Sequence, residues 1–138
     1  MEILEKVKQI KILIVDDDLM IREMSKSVLN ASGFNNTAEA EDGQCALAML
    51  QNEHFDLVIC DWNMPNMSGL ELLEHMRSDE KLKNIAFLMA TINSDIKNVN
   101  KAIKAGVTDY VTKPLQPATL CNKVVTTYAR SLKQQKES

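Results

Sequence analysis

The sequence predicts a doubly wound α/β fold, with five parallel strands alternating with five helices. Three observations carry that expectation. The runs KILIV (11–15) and FDLVIC (55–60) are short, largely apolar and not alternating, as in strands covered on both faces. Each apolar run is followed, after a few turn-forming residues, by apolar positions at helical spacing. Connections this short between buried strands favour parallel βαβ crossovers. The 138 residues suit one domain large enough to bury a core without staples. We expect an N-terminal extension over 1–9, the domain over 10–130 and a polar tail over 131–138.

Residues 1–9 carry Ile3, Leu4 and Val7 among Glu and Lys, enough for a helical turn or a frayed end. The first strand, Lys11 to Val15, ends in Asp16, Asp17 and Asp18. Ile21, Met24, Val28 and Leu29 give the first helix, with Asp18 as N-cap and Gly33 as its C′ residue. Phe34 to Ala40 is a weaker strand. Asp42 caps a helix through Leu50. The third strand, 55–60, stops at Asp61. Ser68 with Glu71 forms a capping-box pattern for a helix over about 68–78. Ile85 to Ala90 is the fourth strand and ends at Thr91. Ser94 is the expected cap of a fourth helix through Ala105, closed by Gly106. Val107 to Val111 is the fifth strand, followed by Thr112, Lys113 and Pro114. Pro117 suits the N1 position of the fifth helix, which carries Leu120, Val124, Val125 and Tyr128 inward.

Several functions are disfavoured by composition. A net charge of −3 and a pI near 5.4 argue against general binding to nucleic acid or anionic membrane. One Trp and two Tyr are too few for an aromatic nucleic-acid platform. No stretch approaches the roughly 20 apolar residues of a membrane span, and the N-terminus does not read as a secretory signal. Cys45, Cys60 and Cys121 lie far apart, outside any CxxC pair, and read as reduced, buried thiols of a cytosolic protein. His54 and His75 have no partner at metal spacing and read as structural or exposed.

Polar residues collect where the strands end. A parallel sheet brings Asp16, Asp17, Asp61, Thr91 and Lys113 to one edge, where open α/β sheets bind ligands. A lone Asp there is usually a helix cap, but capping does not account for three Asp, a Thr and a Lys. Two carboxylates about 4 Å apart repel by roughly 4 kcal/mol at an effective dielectric of 20. The cluster therefore calls for cations. Lys113 supplies one charge, and an all-oxygen set without a twelve-residue calcium loop favours Mg²⁺ that also shares a phosphate. Such parts suit phosphoryl transfer onto a carboxylate. Asp61 is the nucleophile of choice, with Asp16 and Asp17 holding the metal and Lys113 and Thr91 contacting the phosphoryl oxygens.

VDDD (15–18), DWNMPNMSG (61–69), Thr91 and YVTKP (110–114) resemble the receiver domains of two-component response regulators, over about residues 10–130. GFNN (33–36) and EAEDG (39–43) are most similar to the single-domain chemotaxis regulators of that family. The resemblance implies a flavodoxin-like sheet in strand order 2-1-3-4-5. It implies that Asp61 is the phosphoacceptor for a histidine kinase, and that Asp17, Asp61 and the Asn63 backbone carbonyl bind Mg²⁺ while Asp16 assists through water. It implies contacts from Lys113 and Thr91 to the phosphoryl group, a cis Lys113–Pro114 bond, and a switch aromatic at Tyr110 that turns inward when Thr91 engages. The protein would then be a cytoplasmic, monomeric signalling protein, not an enzyme acting on other substrates. Its output surface would run from the fourth helix through the fifth strand to the fifth helix. A flagellar motor switch and a phosphatase would be its further partners.

Three features depart from the family pattern. Ile92 replaces the usual small residue after the switch Thr, so it is expected to narrow access to Asp61 or hinder coupling between Thr91 and Tyr110. Leu115 replaces an aromatic. Lys97, Lys101 and Lys104 share one helix face, either as a solvated stripe or as a docking site for an acidic partner. Asp18 can also tune the metal. Other outputs are a phosphorelay intermediate and a phosphate sink. A different class is an Asp-nucleophile, Mg-dependent phosphatase of the haloacid-dehalogenase type, whose DxD spacing Asp16 and Asp18 meet only within an Asp run. An FMN carrier lacks its Ser/Thr/Gly-rich phosphate loop here.

Overall fold

A computed structural model describes residues 2–92 and 95–137. The elements in chain order are α1 (Glu2–Lys8), β1 (Ile12–Val15), α2 (Leu19–Ala31), β2 (Thr37–Ala40), α3 (Gly43–Asn52), β3 (Leu57–Asp61), α4 (Gly69–Arg77), β4 (Ala86–Thr91), α5 (Ile96–Ala105), β5 (Asp109–Thr112) and α6 (Pro117–Glu137). The five strands pair in parallel in the order β2-β1-β3-β4-β5. This is the order the resemblance implies, and the five alternating helices are present as α2 to α6.

Side-chain alternation along the strands divides the core into two layers. Ile12, Ile14, Leu57, Ile59, Leu88 and Val111 pack with Leu29 of α2 and Leu120 and Val124 of α6. Leu13, Val15, Val58, Cys60, Phe87 and Met89 pack on the opposite face with Leu50 of α3 and Leu72, Leu73 and Met76 of α4. Both faces are covered, which is why the sequence runs are apolar without alternation.

The helix ends follow local chemistry. Asp18 accepts from the Met20 N–H at 2.9 Å and Asp42 from the Cys45 N–H at 2.7 Å. Ser68 and Glu71 form the reciprocal capping box. Gly33 closes α2 at φ 98° and Gly106 closes α5 at φ 95°, the left-handed conformation that glycine reaches without a Cβ penalty.

Of the two readings of residues 1–9, the helical one holds: α1 precedes the first strand, and its Val7 is buried in the α2/α6 layer. Three expectations need correction. The cap of α5 is Asp95, which accepts from the Asn98 N–H at 2.9 Å; Ser94 lies outside the described residues. Residues 131–137 continue α6, because Ser131 is buried against the Asn84 carbonyl at 3.3 Å and Gln135 donates to the same oxygen at 2.9 Å. The three cysteines are free, but Cys45 is exposed and Cys121 half-buried, so Cys60 alone is a buried thiol.

Candidate functional site: an acidic cluster at the strand ends

Register explains which polar residues meet. Val15 pairs with Cys60, so Asp16, one residue beyond β1, lies level with Asp61 at the end of β3. Thr91 pairs with Thr112, and the Lys113 N–H donates to the Thr91 carbonyl at 2.9 Å. Continuing the alternation, Asp16 follows Ile14, Asp61 follows Ile59 and Lys113 follows Val111, all on the α2/α6 side. Thr91 follows Met89 on the other side, and Met89 is the sheet partner of Tyr110. Thr91 and the half-buried Tyr110 therefore share a face, while the carboxylates and the lysine share its opposite.

Lys113 spans two strands with its long stem. Its Nζ lies 2.9 Å from Asp16 Oδ2 and 3.2 Å from Asp61 Oδ1. Oxygens of Asp16, Asp17 and Asp61 all lie within 4.8 Å of one another. Asp16 and Asp61 are buried and Asp17 is exposed, which opens the cluster to solvent on one side. Asp16 Oδ1 also accepts from the Asp18 N–H at 2.9 Å. Three carboxylates face one ammonium, so the cluster carries an excess of negative charge.

Asp61 and Lys113 both titrate above their usual values. Burial pushes the Asp61 carboxyl above its usual value, opposed by the Lys113 charge and reinforced by Asp16. The Lys113 hydrogen bond and that of the Asn63 backbone also hold the charged form. For Lys113, burial acts downward, but the hydrogen bond and charge of Asp16 with the charge of Asp61 outweigh it and raise the ammonium. Burial raises the neighbouring Cys60 thiol, with Asp61 and Asp16 adding to it, which keeps it a thiol.

The loop after β3 holds Asp61 in place. Gly69 donates its N–H to the Trp62 carbonyl at 2.8 Å. A Cβ at Gly69 would collide with the Asp61 carbonyl oxygen and the Met89 sulfur, so α4 can start this close only with glycine. Asn66 takes φ 70°, a conformation that Asn tolerates better than most residues. Asn63 is exposed, two residues beyond Asp61. Lys113–Pro114 is cis.

Of the residues singled out in the sequence, Asp16, Asp17, Asp61 and Lys113 converge through their side chains. Thr91 joins through its main chain and is buried at the end of β4. Ile92 is 72% exposed and borders an apolar groove of about 380 Å³ with Ile21, Met24, Pro114 and Leu115, with Lys113 in its wall. Arg22 was not singled out. Its side chain donates to the Asp16 carbonyl at 2.7 Å, and the sequence marks it only as a cation four residues beyond the cap Asp18.

A divalent cation fits these residues. The donors are all carboxylate oxygens, their spacing is compatible with a shared ion, and their charge exceeds what Lys113 neutralises.

The response regulator receiver domain profile matches residues 12–125, and the chain belongs to that family. It is a signalling protein of the response-regulator type rather than a classical enzyme, and neither the phosphatase nor the flavin-carrier reading is favoured. Its relatives are of the CheY type. It is 47% identical over 117 residues to chemotaxis protein CheY-3 of Vibrio cholerae, covering 85% of this chain and 90% of that protein. It is 44% identical over 120 residues to chemotaxis protein CheY of Pseudomonas aeruginosa, covering 87% and 97%. The structure of the chemotaxis response regulator CheY4 of Vibrio cholerae superposes with a TM-score of 0.81 at 33% identity, covering 86% of this chain and 98% of that one. Among the described residues no helix is long and apolar enough to cross a membrane.

Proposed function

We propose that this chain is a chemotaxis response regulator that takes a phosphoryl group from a histidine kinase onto Asp61. The observation that carries the reading is Lys113 Nζ held between Asp16 and Asp61, within 4.8 Å-spaced carboxylates. An Asp61 carboxylate oxygen attacks the phosphorus of the phosphohistidine. The P–N bond breaks and its electron pair stays on the imidazole nitrogen, which takes a proton. Lys113 shifts from Asp61 to the arriving phosphoryl oxygens, and the Thr91 hydroxyl donates to another of them. Asp17, Asp61 and the Asn63 carbonyl, with Asp16 behind them, would hold Mg²⁺, which would supply the positive charge that lets two anions approach. Hydrolysis of the same acyl phosphate resets the protein.

Engagement of Thr91 frees space on the face it shares with Tyr110, and the inward turn of that ring shifts the population presented by α5, β5 and α6. On α5, Ile96 and Ile103 are exposed beside exposed Lys97, Lys101 and Lys104, a surface suited to an acidic, amphipathic partner such as a motor-switch segment. Ile92 is exposed and lines the groove that has Lys113 in its wall, which favours Ile92 as a contact for the phosphodonor. We place the protein in the cytoplasm as a monomer, with residues 10–130 as the receiver and a phosphatase as a further partner.

The test is intact-mass analysis after incubation with acetyl phosphate. The reading expects a phosphate-sized gain that needs Mg²⁺ and disappears in Asp61→Asn. A gain that survives Asp61→Asn contradicts it.

A further inference from the structure

We infer that Arg22, paired with Glu39, is the positioning residue for the metal ligand Asp17; this rests on the receiver reading above. Asp17 is the exposed member of the acidic cluster. Among the described residues nothing donates a hydrogen bond to its carboxylate, so its place is set by its own main chain. The main chain is held on both sides of Asp16. The Asp16 N–H donates to the Ala40 carbonyl at 3.2 Å, and the Asp16 carbonyl accepts from Arg22 Nη1 at 2.7 Å. That carbonyl and the Asp17 N–H belong to one planar unit. Fixing the carbonyl therefore fixes the direction in which Asp17 leaves the strand.

Arg22 is itself held. Its side chain is 12% exposed, and its Nε donates to Glu39 Oε1 at 3.3 Å. Glu39 sits on β2 opposite Ile14 and also meets Lys26 Nζ at 3.8 Å. A bare guanidinium behind the cluster would repel an incoming cation. Glu39 offsets that charge, so Arg22 can act as a rigid donor without weakening the site it organises.

Charge and position give opposite signs, which makes the inference testable. Removing a cation near a cation site tightens binding if charge alone matters. Loosening the Asp16–Asp17 peptide weakens it. The experiment titrates MgCl₂ onto the full chain and reads the fluorescence of Trp62, next to Asp61. Arg22→Ala is expected to raise the Mg²⁺ dissociation constant about tenfold, the usual scale for a group that orients a ligand. Arg22→Lys, which keeps the charge and loses the fork, is expected to weaken binding in the same direction and covers the case in which the alanine variant does not fold. Lys26→Ala is expected to leave binding unchanged. With acetyl phosphate as donor, the Mg²⁺ concentration for half-maximal rate moves in Arg22→Ala while the rate at saturating Mg²⁺ returns to that of the parent. Mg²⁺ affinity in the Arg22 variants equal to the parent's, or tighter, overturns the inference. A parent chain that does not bind Mg²⁺, or binds it equally well as Asp17→Asn, overturns the receiver reading beneath it instead.

Discussion

Two cations are held inside this molecule at opposite ends of the sheet, in opposite surroundings. Lys113, at the carboxyl ends of the strands, faces an excess of carboxylate, and its pKa is raised. Arg77, at the end of α4, donates to four neutral oxygens: Gly106 O at 2.8 Å, Lys83 O at 3.0 Å, Ile85 O at 2.8 Å and Thr108 Oγ1 at 3.4 Å. Among the described residues no carboxylate pairs with it, and burial pushes its pKa down to about 10. Arg77 is satisfied as it stands and fastens α5, the entry to β4 and the start of β5 together. The Lys113 site carries surplus negative charge. Surplus negative charge at one end and complete hydrogen bonding at the other distinguish a site that acts from a joint that holds.

Substitutions should separate the two. Lys113→Met is expected to lower the rate of phosphoryl uptake by about 10²–10³-fold, the scale for removing one group aimed at developing charge; a rapid-quench time course with acetyl phosphate measures it. Arg77→Ala is expected to leave that rate unchanged and to cost about 2–3 kcal/mol of stability in urea unfolding, because four acceptors lose a charged donor. An Arg77→Ala chain as stable as the parent would remove the contrast. Ser68→Ala is a smaller change, about 1 kcal/mol in the same assay, through loss of the capping box at the start of α4.

The pH dependence sharpens the comparison further. The folded-state pKa of Asp61 lies above its unfolded value, so ionising it opposes folding. Asp61→Asn is therefore expected to be more stable than the parent at neutral pH. That difference shrinks as pH falls through the folded value towards the unfolded one, about 3.9. Lys113 is raised, so its contribution is full below about pH 10.4 and fades as pH rises through the folded value. Urea midpoints of the parent, Asp61→Asn and Lys113→Met between pH 4 and 11 give both slopes, taking those limits as about the range in which the groups titrate.

Much of this was legible in the chain. Strands covered on both faces lack alternation, so β1 and β3 stand out as apolar runs, and Asp42, Ser68 and Gly106 mark helix ends by local hydrogen bonding. The acidic edge followed from strand ends alone. Contacts made by long side chains across the fold were not legible. Arg22 reaches Asp16 and Glu39 between α2, β1 and β2, and nothing in its neighbours announces that. The end of α6 was misread because an exposed helix surface and a polar tail share a composition. Only the Asn84 carbonyl, 47 residues before Ser131, shows which one this is. Asp95 and Ser94 are both good caps one residue apart, and sequence does not choose between them.

The central claim is that Asp61 carries the phosphoryl group. An acyl phosphate on an aspartate is reduced by borohydride to homoserine, so the chain can be treated with acetyl phosphate, reduced, digested and mapped by tandem mass spectrometry. The account predicts homoserine at position 61, dependent on Mg²⁺ and greatly diminished in Lys113→Met. Homoserine at 16 or 17, or none at 61 when the intact chain has gained a phosphate, would contradict it.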